Sequence, residues 1–234
     1  MFLKRINVID IVTLPTPIIP FDKHILIKEK KGLRTFYSEL CINSNITYFH
    51  PKWSEYFNLH GNFEMIKLIY KACFFTVKDN DKIWLQYKIL MRLLGTREKL
   101  QTMGLTVDPI CGLCSNESES IIHLFTLCTK ALDFWSDIKN WIFNRVGINL
   151  EMNSNLIILG YLLLTQDFIP INTLLITAKQ YIFRCTKLKR NPNIYTFQKL
   201  LKLTYNEQLM LHQLKSEEGL FTKCWSKWVV IFND

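Results

Sequence analysis

The stretch "CGLCSNESESIIHLFTLC", Cys111 to Cys128, gathers three of the chain's seven cysteines and one of its five histidines into eighteen residues. The spacing is Cys-x2-Cys-x8-His-x4-Cys, with Cys111, Cys114, His123 and Cys128 as the four donors. Two thiolates two residues apart reach the same side of a tight turn, which Gly112 assists, and so can share one tetrahedral ion. The polar spacer "SNESESII" lets the chain return with a second pair of ligands, and Asn116 with Glu119 is read as a helix-start pair. His123 and Cys128 lie five positions apart, about 140° out of phase on a straight α-helix. The helix between them must therefore tighten, bend or end. Three sulfurs and one imidazole suit Zn2+, and a filled four-ligand set is structural rather than catalytic. Its closure is worth an apparent ~10–16 kcal/mol in zinc-finger peptides, beside a typical net stability of ~5–15 kcal/mol. One structural zinc is thus expected to organise residues 105–130.

Outward from the cluster, the pattern is helical. Upstream, "NFEMIKLIYKACFF" places Phe63, Ile66, Ile69, Tyr70 and Cys73 on one face, and "VKDNDK" is a polar break in which Asp79 and Asp81 read as loop residues. In "IWLQYKILMRLLG", Ile83, Tyr87, Leu90 and Leu94 form a stripe, with Gln86, Lys88 and Arg92 facing away and Gly95 as the terminator. Thr96 caps a short helix closed by Gly104, and Asp108-Pro109 turns the chain into the cluster. Downstream, Leu132, Trp135, Ile138, Ile142 and Val146 repeat at three and four, ending at Gly147. A second stripe runs through Ile171, Leu174, Leu175, Ala178, Ile182 and Cys185, and a last long helix starts at Asn191 with Pro192 in its first turn. The aromatic tail "LFTKCWSKWVV" is suited to docking on these helices.

The fold class expected is mainly α: a helical domain with a small central Cys3His zinc module and an extended N-terminal segment. Three prolines in "TLPTPIIPF" exclude helix there. The organisation reads as an extended or loosely ordered segment (1–35), a helical segment (36–80, opening with Phe36, Leu40 and Cys41 on one face), the zinc-binding domain (81–147) and a basic helical region (148–234). Cys41, Cys73, Cys185 and Cys224 read as core residues. With an odd number of cysteines in a chain of 234 residues, a disulfide framework is not expected, and the compartment is read as reducing and intracellular. The start "MFLKRINVIDIVTLP" lacks the pattern of a secretory signal, and "LIILGYLLL" (Leu156 to Leu164) is too short to span a bilayer and reads as core.

Charge points to a polyanion. The net charge is +9 and the pI about 9.2, which favours nucleic acid over membrane headgroups. From Phe168 to Tyr205 no carboxylate occurs, yet Lys179, Arg184, Lys187, Lys189, Arg190, Lys199 and Lys202 do, interleaved with Tyr181, Phe183, Tyr195 and Phe197. Lys179, Arg184 and Lys187 fall off the apolar stripe and are expected to face solvent. Charge that tracks phosphates and rings that stack bases suit single-stranded nucleic acid. The N-terminal "KHILIKEKKGLR" is a weaker basic patch, and Phe125 beside the cluster is read as packing under the site. Enzyme motifs are lacking: no Walker loop, Gly-x-Gly, His-Glu-x-x-His or Gly-x-Ser-x-Gly is found, and no adjacent Asp pair.

The segment from Trp84 to Trp135 resembles the zinc-binding domain that follows the reverse transcriptase in non-LTR, LINE-type retrotransposons. The residues that carry the resemblance are Thr96 to Leu100, Cys111, Cys114, Glu117 and Glu119, His123-Leu124-Phe125, Cys128 and Trp135. It is specific over about 83–145 and looser on both sides, where "KWSEYF" and "LLITAKQYIFRCTKLKRNPNIYTFQKLLK" resemble flanking family segments. It implies a non-catalytic C-terminal piece of a retrotransposon polyprotein that binds the element's RNA, or target DNA, during target-primed reverse transcription. RNA is favoured as partner, with a reverse transcriptase as a second; no membrane or small-molecule substrate is expected. Two readings stay open beside it: a structural or protein-interaction module that docks on a polymerase, and a non-functional remnant.

Overall fold

A computed structural model describes residues 50–105 and 108–232, with the backbone alone for 73–75. The segment 1–35, the face formed by Phe36, Leu40 and Cys41, the basic patch near Lys28, and the Cys73 side chain lie outside the described residues.

The described chain is mostly helical, without strands; one isolated antiparallel bridge joins Ile110 to Ser118. The helices are α1 (Pro51–Tyr56), α2 (Phe63–Phe75), α3 (Asn80–Leu90) and α4 (Arg97–Thr102), then a π-helical turn (His123–Leu127). There follow α5 (Thr129–Val146), α6 (Ser154–Leu159), α7 (Phe168–Leu188), α8 (Ile194–Leu214), α9 (Glu218–Trp225) and a 3-10 turn (Val229–Phe232). Helix α7 is the axis of the fold. Every residue from Pro170 to Lys179 is buried, as a helix packed on several sides requires. It meets α2, α3, α8, α9 and the π turn. One apolar cluster runs from Trp53 in α1 to Ile231 in the 3-10 turn. The tail docks as its aromatics suggest: Trp225 and Trp228 are fully buried, and the Trp228 indole N–H donates to Asp167 Oδ1 at 2.7 Å.

The capping signals were displaced in several places. Helix α3 ends at Leu90, before Gly95, because Arg92 takes the left-handed backbone (φ 54) and Leu93 N–H closes onto Lys88 O at 2.7 Å. Helix α8 is capped by Asn193, whose Oδ1 accepts from Tyr195 and Thr196, so the expected start at Asn191-Pro192 moves two residues. The buried side of α3 is also rotated from the expected stripe: Leu85, Gln86, Ile89 and Leu90 are inside, whereas Ile83 and Tyr87 are half-buried. Gln86 turns inward because it has partners there, donating to Ile158 O at 2.8 Å and accepting from the Lys179 ammonium. Asp79 caps α3 and pairs with Lys82, which settles the polar break as a cap. Of "LIILGYLLL", only the first half is core: Ile157, Ile158 and Leu159 are buried, and the chain turns at Gly160 (φ 98) to leave Leu163 and Leu164 exposed. No described helix is long and apolar enough to cross a membrane.

Candidate metal centre

All four expected donors converge. One ligand atom each from Cys111, Cys114, His123 and Cys128 lie within 4.8 Å of one another. Cys111 Sγ and Cys128 Sγ are 3.9 Å apart, and Cys114 Sγ is 3.3 Å from His123 Nε2. A tetrahedral zinc with bonds of about 2.3 Å to sulfur sets sulfurs about 3.8 Å apart, so the donor set fits that ion. Three donors are buried and Cys114 is half-buried.

Local structure explains the convergence. Between Cys111 and Cys114 the chain makes a knuckle: Ser115 N–H donates to Cys111 O at 2.9 Å and Leu113 N–H points to Cys111 Sγ at 3.4 Å. The five-residue gap from His123 to Cys128 is resolved by the π turn, in which Cys128 N–H donates to His123 O at 2.7 Å. That i→i+5 bond widens the coil, so a fifth residue comes back toward the first. Cys128 then leaves the helical region (ψ 124) and becomes the N-cap of α5 without a side-chain cap bond; the backbone N–H groups of Ala131 and Lys130 nearby help hold its thiol below the usual range. The Trp135 indole N–H donates to Phe125 O at 2.9 Å, tying α5 to the π turn. Phe125 is fully buried, as a packing rather than a stacking ring would be.

The two nearest sulfurs titrate in opposite directions. The hydrogen bond to Cys128, followed by burial, pushes the Cys111 thiol well above its usual range. The same bond holds Cys128 below it, despite burial. Cys111 is therefore the sulfur that holds its proton more firmly, and a divalent ion bound by the pair would have to displace it.

Around the ligands sits a second set of carboxylates. His123 Nδ1 meets Glu117 Oε2 at 3.0 Å, which leaves Nε2 as the metal-facing nitrogen. Glu119, 2% exposed, binds three elements at once. It accepts from Gly112 N–H at 3.0 Å, from Arg97 N–H at 3.2 Å and from the Thr186 hydroxyl on α7. This overturns two expectations. Asn116 and Glu119 form no helix-start pair; Ser120 Oγ caps the π segment by accepting from His123 N–H at 3.0 Å. Thr96 makes no side-chain cap of α4, because Glu119 takes that role from across the chain. Gly112 is not in the left-handed region; a Cβ there would stand 2.3 Å from Thr186 O, so close approach rather than turn geometry requires it.

With this geometry in hand, residues 49–135 match the family model described as zinc-binding in reverse transcriptase. That stretch is a reverse-transcriptase zinc-binding domain. A search of curated proteins found no match. The reverse-transcriptase zinc-binding domain takes in α1 and α2 upstream of the ligands and ends at Trp135, whereas the strongest sequence likeness began near residue 83. The matched family is that of a zinc-binding accessory domain, not the catalytic one. The Cys3His cluster makes it a site for one zinc ion.

The basic residues do not all share one surface. Arg184, Lys187, Lys189 and Arg190 are exposed at the C-terminal end of α7, and Lys199 and Lys202 on α8. Lys179 is 1% exposed, with its ammonium on Gln86 Oε1. It faces inward because α7 is covered on several sides at that level, so the expectation that it meets solvent fails. A cleft of about 350 Å3 lies between α5, α8 and the 3-10 turn, bordered by Trp141, Arg145, Tyr195, Gln198, Lys199 and Lys202. Trp141 and Arg145 carried no separate signal in the sequence, since both fall inside the amphipathic pattern of α5.

Proposed function

We propose that this protein is a non-catalytic, zinc-organised module that binds single-stranded nucleic acid, RNA in preference, as the accessory C-terminal part of a retrotransposon reverse transcriptase acting in target-primed reverse transcription inside the cell. The observation that carries the reading is the α5–α8 cleft. Tyr195 is 71% exposed, Lys199 and Lys202 stand along the same wall, Arg145 lies opposite, and among the described residues no carboxylate lines the space. An open ring beside fixed positive charges is the arrangement that stacks a base and holds its flanking phosphates. Arg184, Lys187, Lys189 and Arg190 extend the positive surface along the end of α7. Glu119, which accepts from Gly112 N–H and from the Thr186 hydroxyl, ties the Cys111–Cys114 knuckle to α7.

The test is a titration of fluorescein-labelled single-stranded RNA at several salt concentrations. The log of the binding constant should fall with log salt by about 0.7 per phosphate neutralised. Tyr195→Ala and Lys199→Ala/Lys202→Ala should each weaken binding, the lysine pair also flattening the slope. Absent or salt-independent binding would remove the proposal. A second reading, docking on a polymerase, draws on the exposed Leu203, Met210 and Leu214 of α8. It gains if RNA binding is absent and a purified reverse transcriptase domain binds the zinc-loaded protein.

A further inference from the structure

A second cluster of positive charge lies within the zinc-binding domain, apart from the basic helices. A cleft of about 240 Å3 opens where the start of α1, the turn after α3 and α4 meet, and its walls include His50, Lys52, Arg92, Thr96, Glu98 and Lys99. Three fixed cations thus face one carboxylate. Arg92 is held there at a cost. Its backbone is left-handed (φ 54) although it is not glycine, a conformation that persists where the surroundings impose it. Its guanidinium lies 4.6 Å over the ring of Trp53, itself fully buried and anchored by an indole N–H to Ile89 O at 3.0 Å. His50 Nδ1 accepts from Lys52 N–H at 3.3 Å, so its Nε2 is the nitrogen left to carry the proton. Burial, then the charges of Arg92, Lys52 and Lys99, keep His50 below the ordinary imidazole range.

The zinc site builds one wall of this cleft. Arg97 N–H donates to Glu119 Oε1, and Glu98 N–H to Glu119 O at 3.3 Å, so the helix that carries Glu98 and Lys99 is fixed to the knuckle. Among the described residues, the lining beyond the polar groups is Leu94 and Ile121, with no Phe, Tyr or Trp ring. The chemistry therefore suits an oxyanion rather than a base. We propose that this cleft is a phosphate clamp, in which Lys52, Arg92 and Lys99 hold the sugar-phosphate backbone of the nucleic acid while the α5–α8 cleft takes a base. The proposal rests on the nucleic-acid reading above for the identity of the anion; the oxyanion site itself rests on the cleft alone.

The test uses the zinc-loaded full chain and Lys52→Ala/Lys99→Ala, both substitutions at exposed positions. With the labelled RNA, the variant should lose about 1.4 in the slope of log K against log salt, two phosphates at about 0.7 each. An unchanged slope beside normal binding by the wild type overturns the clamp and leaves the proposed function standing. A wild type that binds no RNA sinks the nucleic-acid reading and with it the identity of the anion. The oxyanion site is then decided by inorganic pyrophosphate, followed by the NMR titration of His50. Bound anion should raise the His50 pKa in the wild type and not in the variant; no rise in either removes the site.

Discussion

Gly112→Ala is the perturbation that isolates how the zinc knuckle is seated on α7. Gly112 does not occupy the left-handed region, so alanine suffers no backbone penalty, and the whole effect must come from contact. The new methyl would meet Thr186 O at 2.3 Å and Thr186 Oγ1 at 2.8 Å. One of these is backbone, so a side-chain rotation cannot relieve it; the knuckle must move off α7. Overpacking of this kind costs about 1–3 kcal/mol. The movement also stretches the Gly112 N–H bond to the buried Glu119 carboxylate, a bond type worth about 1.5–3 kcal/mol when lost. Because the two strains are relieved by one shift, the sum is about 2–4 kcal/mol. At about 2–4 °C per kcal/mol for a unit of this size, the midpoint of thermal unfolding should drop by about 4–16 °C. Disturbing outer-sphere support also lowers metal affinity by about 10–100-fold. Circular dichroism melts of the zinc-loaded protein and competition with a chromophoric chelator read both quantities. Gly219→Ala is the control: a methyl there meets nothing within 4 Å, and in the helix it should be neutral or stabilising by up to about 1 kcal/mol. A Gly112→Ala protein that melts with the wild type and holds zinc as tightly would refute the seating described above.

Three further outcomes follow from the same geometry. Glu117→Ala removes the carboxylate on His123 Nδ1 and should weaken zinc binding about 10–100-fold with little change in helicity, read by chelator competition. Trp135→Phe leaves the buried Phe125 carbonyl without its indole partner and should cost about 1–3 kcal/mol, measured by denaturant unfolding. Zinc must displace the proton that Cys111 retains through its bond to Cys128. Raised folded-state affinity of a thiol for its proton opposes the metal more as pH falls, so zinc affinity should drop from about pH 8 to about pH 6, with protons released on binding. Calorimetry in buffers of different ionisation enthalpy counts them, and a pH-independent affinity would contradict it.

The centre was legible because its chemistry is local: ligand identity and spacing are properties of one short stretch. The five-residue step from His123 to Cys128 even stated that a regular helix must fail there, although the form of the failure, a π turn, depends on the sulfur being drawn back to the site. The long helices were equally legible from period. What the sequence concealed was partnership across the chain. Glu119 looks like one of two acidic spacer residues, and nothing near it announces Thr186 on α7. Lys179 reads as a solvent-facing cation until Gln86, far away in sequence, is seen to receive it. Caps moved for the same reason, since a buried carboxylate outcompeted the Thr96 hydroxyl and Arg92 was forced into a glycine's conformation by its place on Trp53.

Metal content tests the central claim most directly. Purified protein should hold one zinc per chain, and its cobalt-substituted form should show the intense charge-transfer and ligand-field bands of a tetrahedral three-thiolate, one-imidazole site. Cys114→Ser should lose the metal and the order of the knuckle with it. A wild-type protein that folds fully without metal, or a Cys114→Ser protein that keeps its zinc and its fold, would contradict the account.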